Sequence, residues 1–242
     1  LSLRRQRQMC IRDSHTFNHL LNHKPLYLCV HIPTADSDGF TDHKEPNYGV
    51  ENPIGDAWLN ERRKNRNYGG DTELEVQSSI NNRHSILKFD LTDLPSNIIV
   101  VSANLSLYYF DRGLINPVGR TYYCYRLVET DWVEGTKNGA VETGSCCWNY
   151  RQYNTLAWTT QGGTYTTTDG ASAVVPHSFG WMIWNVTSQV QYAIDNTGKV
   201  VHFIIMDGNE YSLIKYRARF YSREYSNQEF IPKLEVTYKL TD

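Results

Sequence analysis

Apolar and polar residues alternate along much of this chain with a period of two, the pattern of strands that bury one face. Residues 86–91, ILKFDL, set Leu87, Phe89 and Leu91 on one side and Lys88 and Asp90 on the other, and Leu94-Pro95 stops the run. Residues 101–110, VSANLSLYYF, put Val101, Ala103, Leu105, Leu107 and Tyr109 on one face. TYYCYRLV (121–128), VVHFIIM (200–206), KYRARFYS (215–222) and PKLEVTYKL (232–240) are predicted as four further strands, because β-branched and aromatic residues suit a pleated surface. One helix is predicted, in NVTSQVQYAIDNTG (185–198). It has Thr187 or Ser188 as N-cap, Val190, Ala193 and Ile194 as its apolar stripe, and Gly198 as its stop. Short strands, turn-rich connections and a single short helix predict an all-β fold, a β-sandwich of jelly-roll type.

The 242 residues, 40% of them hydrophobic, can bury a sizeable core. No apolar run approaches the roughly 20 residues of a membrane-spanning helix, so no membrane partner is expected. The opening stretch, LSLRRQRQMCIRDS, has no core pattern, and its QMCIRDS resembles a translated sequencing-library adapter. Residues 1–14 are therefore set apart from the fold. They hold Arg4, Arg5, Arg7, Arg12 and Asp13, a net +3 within a chain of net −2, which leaves −5 on the remainder. An acidic body argues against a nucleic-acid partner, which needs a broad basic footprint. It leaves room for a local basic stripe.

Residues 15–54, rich in His, Asn, Asp and Pro, read as a linker or the remnant of a preceding module. Cys124 with Cys146 or Cys147 is a candidate bridge, with buried free thiols as the alternative. No Cys/His spacing marks a zinc site and no cofactor motif is present.

From residue 55 onward the blocks GDAWLNERRKNRNYGGDTELEV, ILKFDLTDLPSNIIVVSANLSLYYF, Trp132-Val133-Glu134, WNVTSQVQYAI and RFYSREYSNQEFIPKLEVTY follow one another in order. Together they resemble the DNRLRE domain, which is related to the disaggregatase-associated modules and similar to carbohydrate-binding module family 96. The resemblance spans residues 55–242 and implies a jelly-roll sandwich in a secreted or cell-surface protein of several domains, with a polysaccharide as partner and alginate among the ligands of relatives. Asn185 replaces the Asp that many members carry before Val-Thr, and residues 112–180 hold insertions. Ligand identity therefore does not carry over, since loops hold specificity in such folds.

Within this frame the stretch LIKYRARFYSRE (213–224) stands out. In a strand, Lys215, Arg217, Arg219 and Arg223 share one face with Tyr221, at about 6.5–7 Å between alternate side chains. Arginine offers a carboxylate a bidentate fork, lysine a point charge, and tyrosine a ring on which a sugar can lie. The alternatives are an edge strand guarded by charge and, for Arg223, a structural pair with Glu224. A second basic cluster, Arg62 and Arg63 with Lys64 and Arg66, precedes Asn67-Tyr68-Gly69. Trp148, Tyr150, Tyr153 and Trp158 form an aromatic group with Arg151 among them, of which at least two rings are expected to pack inward.

Asp36, Asp38 and Asp42 offer hard oxygens for a structural Ca²⁺, although their spacing is not that of an EF-hand. His15, His19 and His23 recur every four residues. Glu129, Asp131, Glu134 and Glu142 are the carboxylates a glycosidase would draw on, and a lyase would use a base such as His177 or a Tyr near an Arg that neutralises the carboxylate. No spacing singles out either site. The reading is a non-catalytic polysaccharide-binding module, with a structural or adhesion module and a polysaccharide-degrading enzyme as alternatives.

Overall fold

The computed structural model describes residues 46–241. The expectations placed on residues 1–14, on Asp36, Asp38 and Asp42, and on His15, His19 and His23 lie outside the described residues.

In chain order the elements are β1 (Asn47–Glu51), β2 (Gly55–Asn60), a 3-10 turn (Glu61–Arg63), β3 (Glu73–Ser78), β4 (Arg83–Asp90), β5 (Ile98–Arg112) and β6 (Thr121–Leu127). Then come β7 (Tyr150–Gln152), β8 (Leu156–Ala157), β9 (Tyr165–Val174), β10 (Gly180–Asn185), α1 (Thr187–Asn196), β11 (Val200–Asp207), β12 (Tyr216–Tyr221) and β13 (Lys233–Leu240). All the pairings between these strands are antiparallel. The main sheet runs β1-β13-β5-β12-β3-β4-β11-β6-β9, with β10 added to β5 and β2 to β4. β3 and β4 share a single residue pair, Gln77 with Arg83, and there the sheet curls over on itself.

The curl makes a sandwich. Leu74, Val76, Leu105, Leu107, Ala218, Phe220, Leu234 and Val236 from one half share a core with Leu87, Phe89, Tyr122, Cys124, Phe203 and Ile205 from the other. Each large apolar side chain buried there contributes about 1.5–3 kcal/mol. The fold is thus the all-β sandwich with one short helix that the alternation predicts.

Three local expectations change. β1 lies inside the stretch read as linker, because a short strand of sequence NYGVE with a single neighbour, β13, needs little apolar content. Val101 points outward, 47% exposed, because the β5–β13 register shifts between Ser102 and Val100 and the alternation reverses across it. The helix begins at Thr187 with Val186, not Thr187 or Ser188, at its N-cap position, and Asn185 Oδ1 one residue further out accepts from Thr187 N at 3.2 Å and from Thr187 Oγ1 at 2.7 Å.

Between β6 and β9 the chain makes an excursion over residues 128–164. Its root is closed, since Leu127 pairs with Tyr165 and Val128 N donates to Thr164 O at 2.9 Å. The excursion lays Trp132, Cys146, Trp148 and Trp158 over Ala57, Leu59, Ile86, Leu127 and Ile204, forming a second core on the outer face of that half. Cys124, Cys146 and Cys147 are all buried free thiols, so no bridge joins them. Burial pushes the pKa of each upward.

Candidate functional site

Alternation along β12 sends Ala218 and Phe220 into the core and leaves Arg217, Arg219 and Tyr221 on the outer face. β12 is an interior strand between β5 and β3, so its charge guards no open edge. Its register sets Arg217 opposite Gln77, Arg219 opposite Glu75 and Tyr221 opposite Glu73.

Lys215, just before the strand, is exposed. Two cations from elsewhere join this row: Arg62 on the 3-10 turn and Arg83 at the start of β4. Their convergence registers electrostatically. The Lys215 ammonium is held below its usual range, by burial first and then by Arg83, Arg217, Arg62 and Arg219. Arg83 is pushed down to about 10, by burial first and then by Arg217. Arg62 of the second basic cluster thus joins the stripe, together with Arg83, which sequence reading missed. Arg63 stays exposed on the same turn. That turn is braced, since Lys64 O accepts from Asn149 N at 3.1 Å and Arg66 Nη1 donates to Gly139 O at 2.8 Å. Behind it, a Cβ on Gly69 would sit 2.1 Å from Glu134 O, so the Asn67-Tyr68-Gly69 turn can pack there only with glycine.

Beneath the cations lies Glu75, 5% exposed. Its Oε1 is 3.4 Å from Arg219 Nε and 3.5 Å from Arg217 Nη1, and its Oε2 is in contact with Arg83 Nη1. Arg219 also reaches Asp111 at 2.9 Å and Glu73 at 3.5 Å. Arg83 and Arg217 thus share one carboxylate with Arg219, while Arg62 and Lys215 make no ion pair among the described residues. The Nε atoms of Arg83 and Arg217 are buried without a hydrogen-bond partner. Arg83 is steadied by the Trp58 ring, 4.8 Å away, and Trp58 stacks on Tyr68 at 3.8 Å. A planar fork held in this way is suited to carboxylate or sulfate.

Other expected members fall elsewhere. Tyr221 is sandwiched between Phe110 at 4.0 Å and Tyr225 at 3.7 Å, so both faces of its ring are occupied. It cannot offer a face to a sugar. Arg223 leaves the stripe: its Nη1 donates to Glu134 at 2.8 Å and lies 3.5 Å from Glu224, while its N donates to Asp56 Oδ2 at 2.8 Å. The oxygens of Asp56, Glu134 and Glu224 lie within 4.8 Å of one another. Burial, then Glu224, holds the Asp56 pKa well above the carboxylate range, and burial also raises Glu134 and Glu224. This group ties the segment after β12 to β2 and to the excursion.

Trp148 is 3% exposed in the second core, beside His84 at 4.8 Å, and Trp158 is buried with it. Tyr150 and Tyr153 are half-buried and meet edge to face at 5.4 Å. Arg151 is neutralised by Glu129 at 2.9 Å and Asp131 at 2.6 Å. The aromatic group is therefore architecture around its two tryptophans, and Arg151 has its anions already. The carboxylates considered for catalysis are likewise engaged. Glu129 accepts from Arg151 and from Thr159 N and Oγ1, each at 2.9 Å, and Glu142 accepts from Thr136 N at 2.7 Å.

Residues 47–140 match the model of carbohydrate-binding module family 96. No curated protein matches the chain. The matched stretch contains Arg62, Glu75 and Arg83, whereas Lys215, Arg217 and Arg219 come from beyond it. No helix among the described residues is long and apolar enough to cross a membrane.

Proposed function

We propose that the chain is a non-catalytic module that holds an acidic polysaccharide on the face formed by Arg62, Arg83, Lys215 and Arg217. One observation carries this reading: Arg83 and Arg217, from two separate segments, converge with Arg219 on a single buried carboxylate, Glu75, while Lys215 and Arg62 add positive charge nearby with no ion pair of their own among the described residues. Like charges drawn together at such a cost to one another make a standing demand for anions. The carbohydrate-binding likeness of residues 47–140 supplies the class of ligand, and a repeating carboxylate, as in alginate, supplies the charge. Such a module works outside the cell, on a secreted or surface polypeptide beside other domains. Nucleic acid is disfavoured because the chain as a whole is acidic, at net −2.

The test is affinity electrophoresis of the full chain in gels cast with alginate, pectin, xylan or a neutral glucan, beside a Lys215→Ala/Arg217→Ala variant. Retardation in an acidic glycan that the variant loses, and that weakens with salt, is the expected result. Retardation by the neutral glucan alone moves the site off this face. No retardation in any gel favours a structural or adhesion module, and release of reducing or unsaturated ends would make the chain an enzyme.

A further inference from the structure

Glu75 is an odd residue to find under a surface that is to receive anions. Simple addition of charge says that it repels the ligand and that its loss would tighten binding. The geometry points to the opposite: we propose that Glu75 is a positioning residue, whose carboxylate gathers Arg83, Arg217 and Arg219 into one array, so that removing it weakens the grip on an acidic glycan. The inference rests on the functional reading above and specifies how that face is built.

Three features carry it. Glu75 is nearly inaccessible at 5% exposure, so it answers to the arginines and cannot touch a bound chain. It also takes guanidinium groups from two strands at once, Arg83 from β4 on Oε2 and Arg217 and Arg219 from β12 on Oε1. Those strands belong to the two halves of the curled sheet and meet through β3, which carries Glu75 between them. Finally, the neighbouring polar group cannot substitute, because Gln77 Nε2 is spent on Asn81 O at 2.7 Å and Ser79 Oγ at 3.1 Å.

Without the central carboxylate, Arg217 would lose its ion pair and Arg83 would keep only the Trp58 ring, so both heads would regain rotamer freedom that a ligand must then remove, while Arg219 would stay on Asp111. With it, their heads are ordered before the ligand arrives, and together they still carry more positive charge than Glu75 can cancel. Glu73 is the internal comparison. It lies on the same strand and face but touches only Arg219, at 3.5 Å, and is more exposed. It adds negative charge near the site without collecting the cations.

The experiment uses the full chain and calorimetric titration with sodium alginate and with polygalacturonate at low and moderate salt. The variants are Glu75→Gln, Glu75→Asp and Glu73→Gln, each checked by near-ultraviolet circular dichroism. Glu75→Asp keeps the charge but draws it back by one methylene, so counting charges gives it wild-type affinity. Positioning gives it, like Glu75→Gln, a loss of about tenfold. The slope of affinity against salt should also shrink in Glu75→Gln, as fewer cations engage together. Glu73→Gln should bind as well as wild type or better. If Glu75→Gln binds more tightly, or Glu75→Asp binds unchanged, the inference falls while the functional reading stands. If Glu75→Gln does not fold, Glu75→Asp alone decides. Should wild type bind neither polymer, both fall together.

Discussion

Arg219 donates to Asp111 Oδ2 at 2.9 Å, from β12 to the neighbouring β5, so one cation of the face is answered from within the sheet. Lys215, a few residues earlier on the chain, makes no ion pair among the described residues. The stripe is graded, with its unanswered charge gathered at the Lys215 end.

Affinity should follow that grade. Lys215→Ala, Arg217→Ala and Arg83→Ala are each expected to weaken binding of an acidic glycan about tenfold, the scale of one charge-assisted hydrogen bond. Arg219→Ala should cost less than about threefold, because Asp111 and Glu73 already neutralise it. Calorimetric titration of the four single variants measures the order, and an Arg219 effect exceeding the others would contradict it.

The Tyr221 ring is a column member whose faces are covered, so Tyr221→Phe should keep binding and lose no more than about 1 kcal/mol of stability. Its pKa is raised to about 12, first by the hydrogen bond with Tyr225, and that bond is what the Phe variant removes. Tyr221→Ala should lower stability by about 2–4 kcal/mol through the lost stack, with binding per folded molecule retained. Chemical denaturation beside glycan titration separates the two effects.

Trp148→Ala should cost about 3–5 kcal/mol, the range for truncating a large buried aromatic. A loss of glycan affinity in molecules that remain folded would return this ring to the site. Differential scanning calorimetry and gel retardation of the same preparation test the point.

His202 Nδ1 lies 3.0 Å from Trp132 Nε1, which donates to it, and the ring is 8% exposed. Burial, then Lys88, pushes its pKa down to about 4 from an ordinary 6.5. The unfolded chain therefore takes up a proton near pH 6.5 that the folded chain refuses until about pH 4. Stability falls across that window by at most about 3 kcal/mol, and is constant with respect to this group above it. His202→Gln should flatten the fall. Urea unfolding of both proteins from about pH 7 to about pH 4 should show their stabilities converging as pH drops.

Much of the fold is legible in the alternation of residues, because strands buried on one face must alternate. ILKFDL, VVHFIIM and PKLEVTYKL all lie in strands, with Leu87 and Phe89 of the first inward as expected. β1, β2, β3, β7, β8, β9 and β10 were not predicted as strands; of these β1 and β9 are the outermost, rich in exposed polar side chains, and need no periodic apolar content. Val101 was misplaced because a register shift breaks the period that the reading relied on. The cationic face was half legible. Local spacing shows Arg217 and Arg219 on one side of a strand, but Arg83 and Arg62 arrive only because the sheet curls at the Gln77–Arg83 pair, and no local pattern encodes a curl. Nor does spacing reveal that Tyr221 and Arg151 already have partners, since those partners come from distant segments.

The excursion over residues 128–164 carries a history in its geometry. Its two ends meet at the Leu127–Tyr165 pair, so such a segment can be gained between two strands of a hairpin without disturbing either strand. Its tryptophans shelter Leu59, Ile86 and Ile204 on the sheet below. Excising it now would uncover that apolar floor, a surface that invites aggregation. A segment whose closed root makes it separable in topology is thus inseparable in burial, and the sheet below it is complete only under its roof.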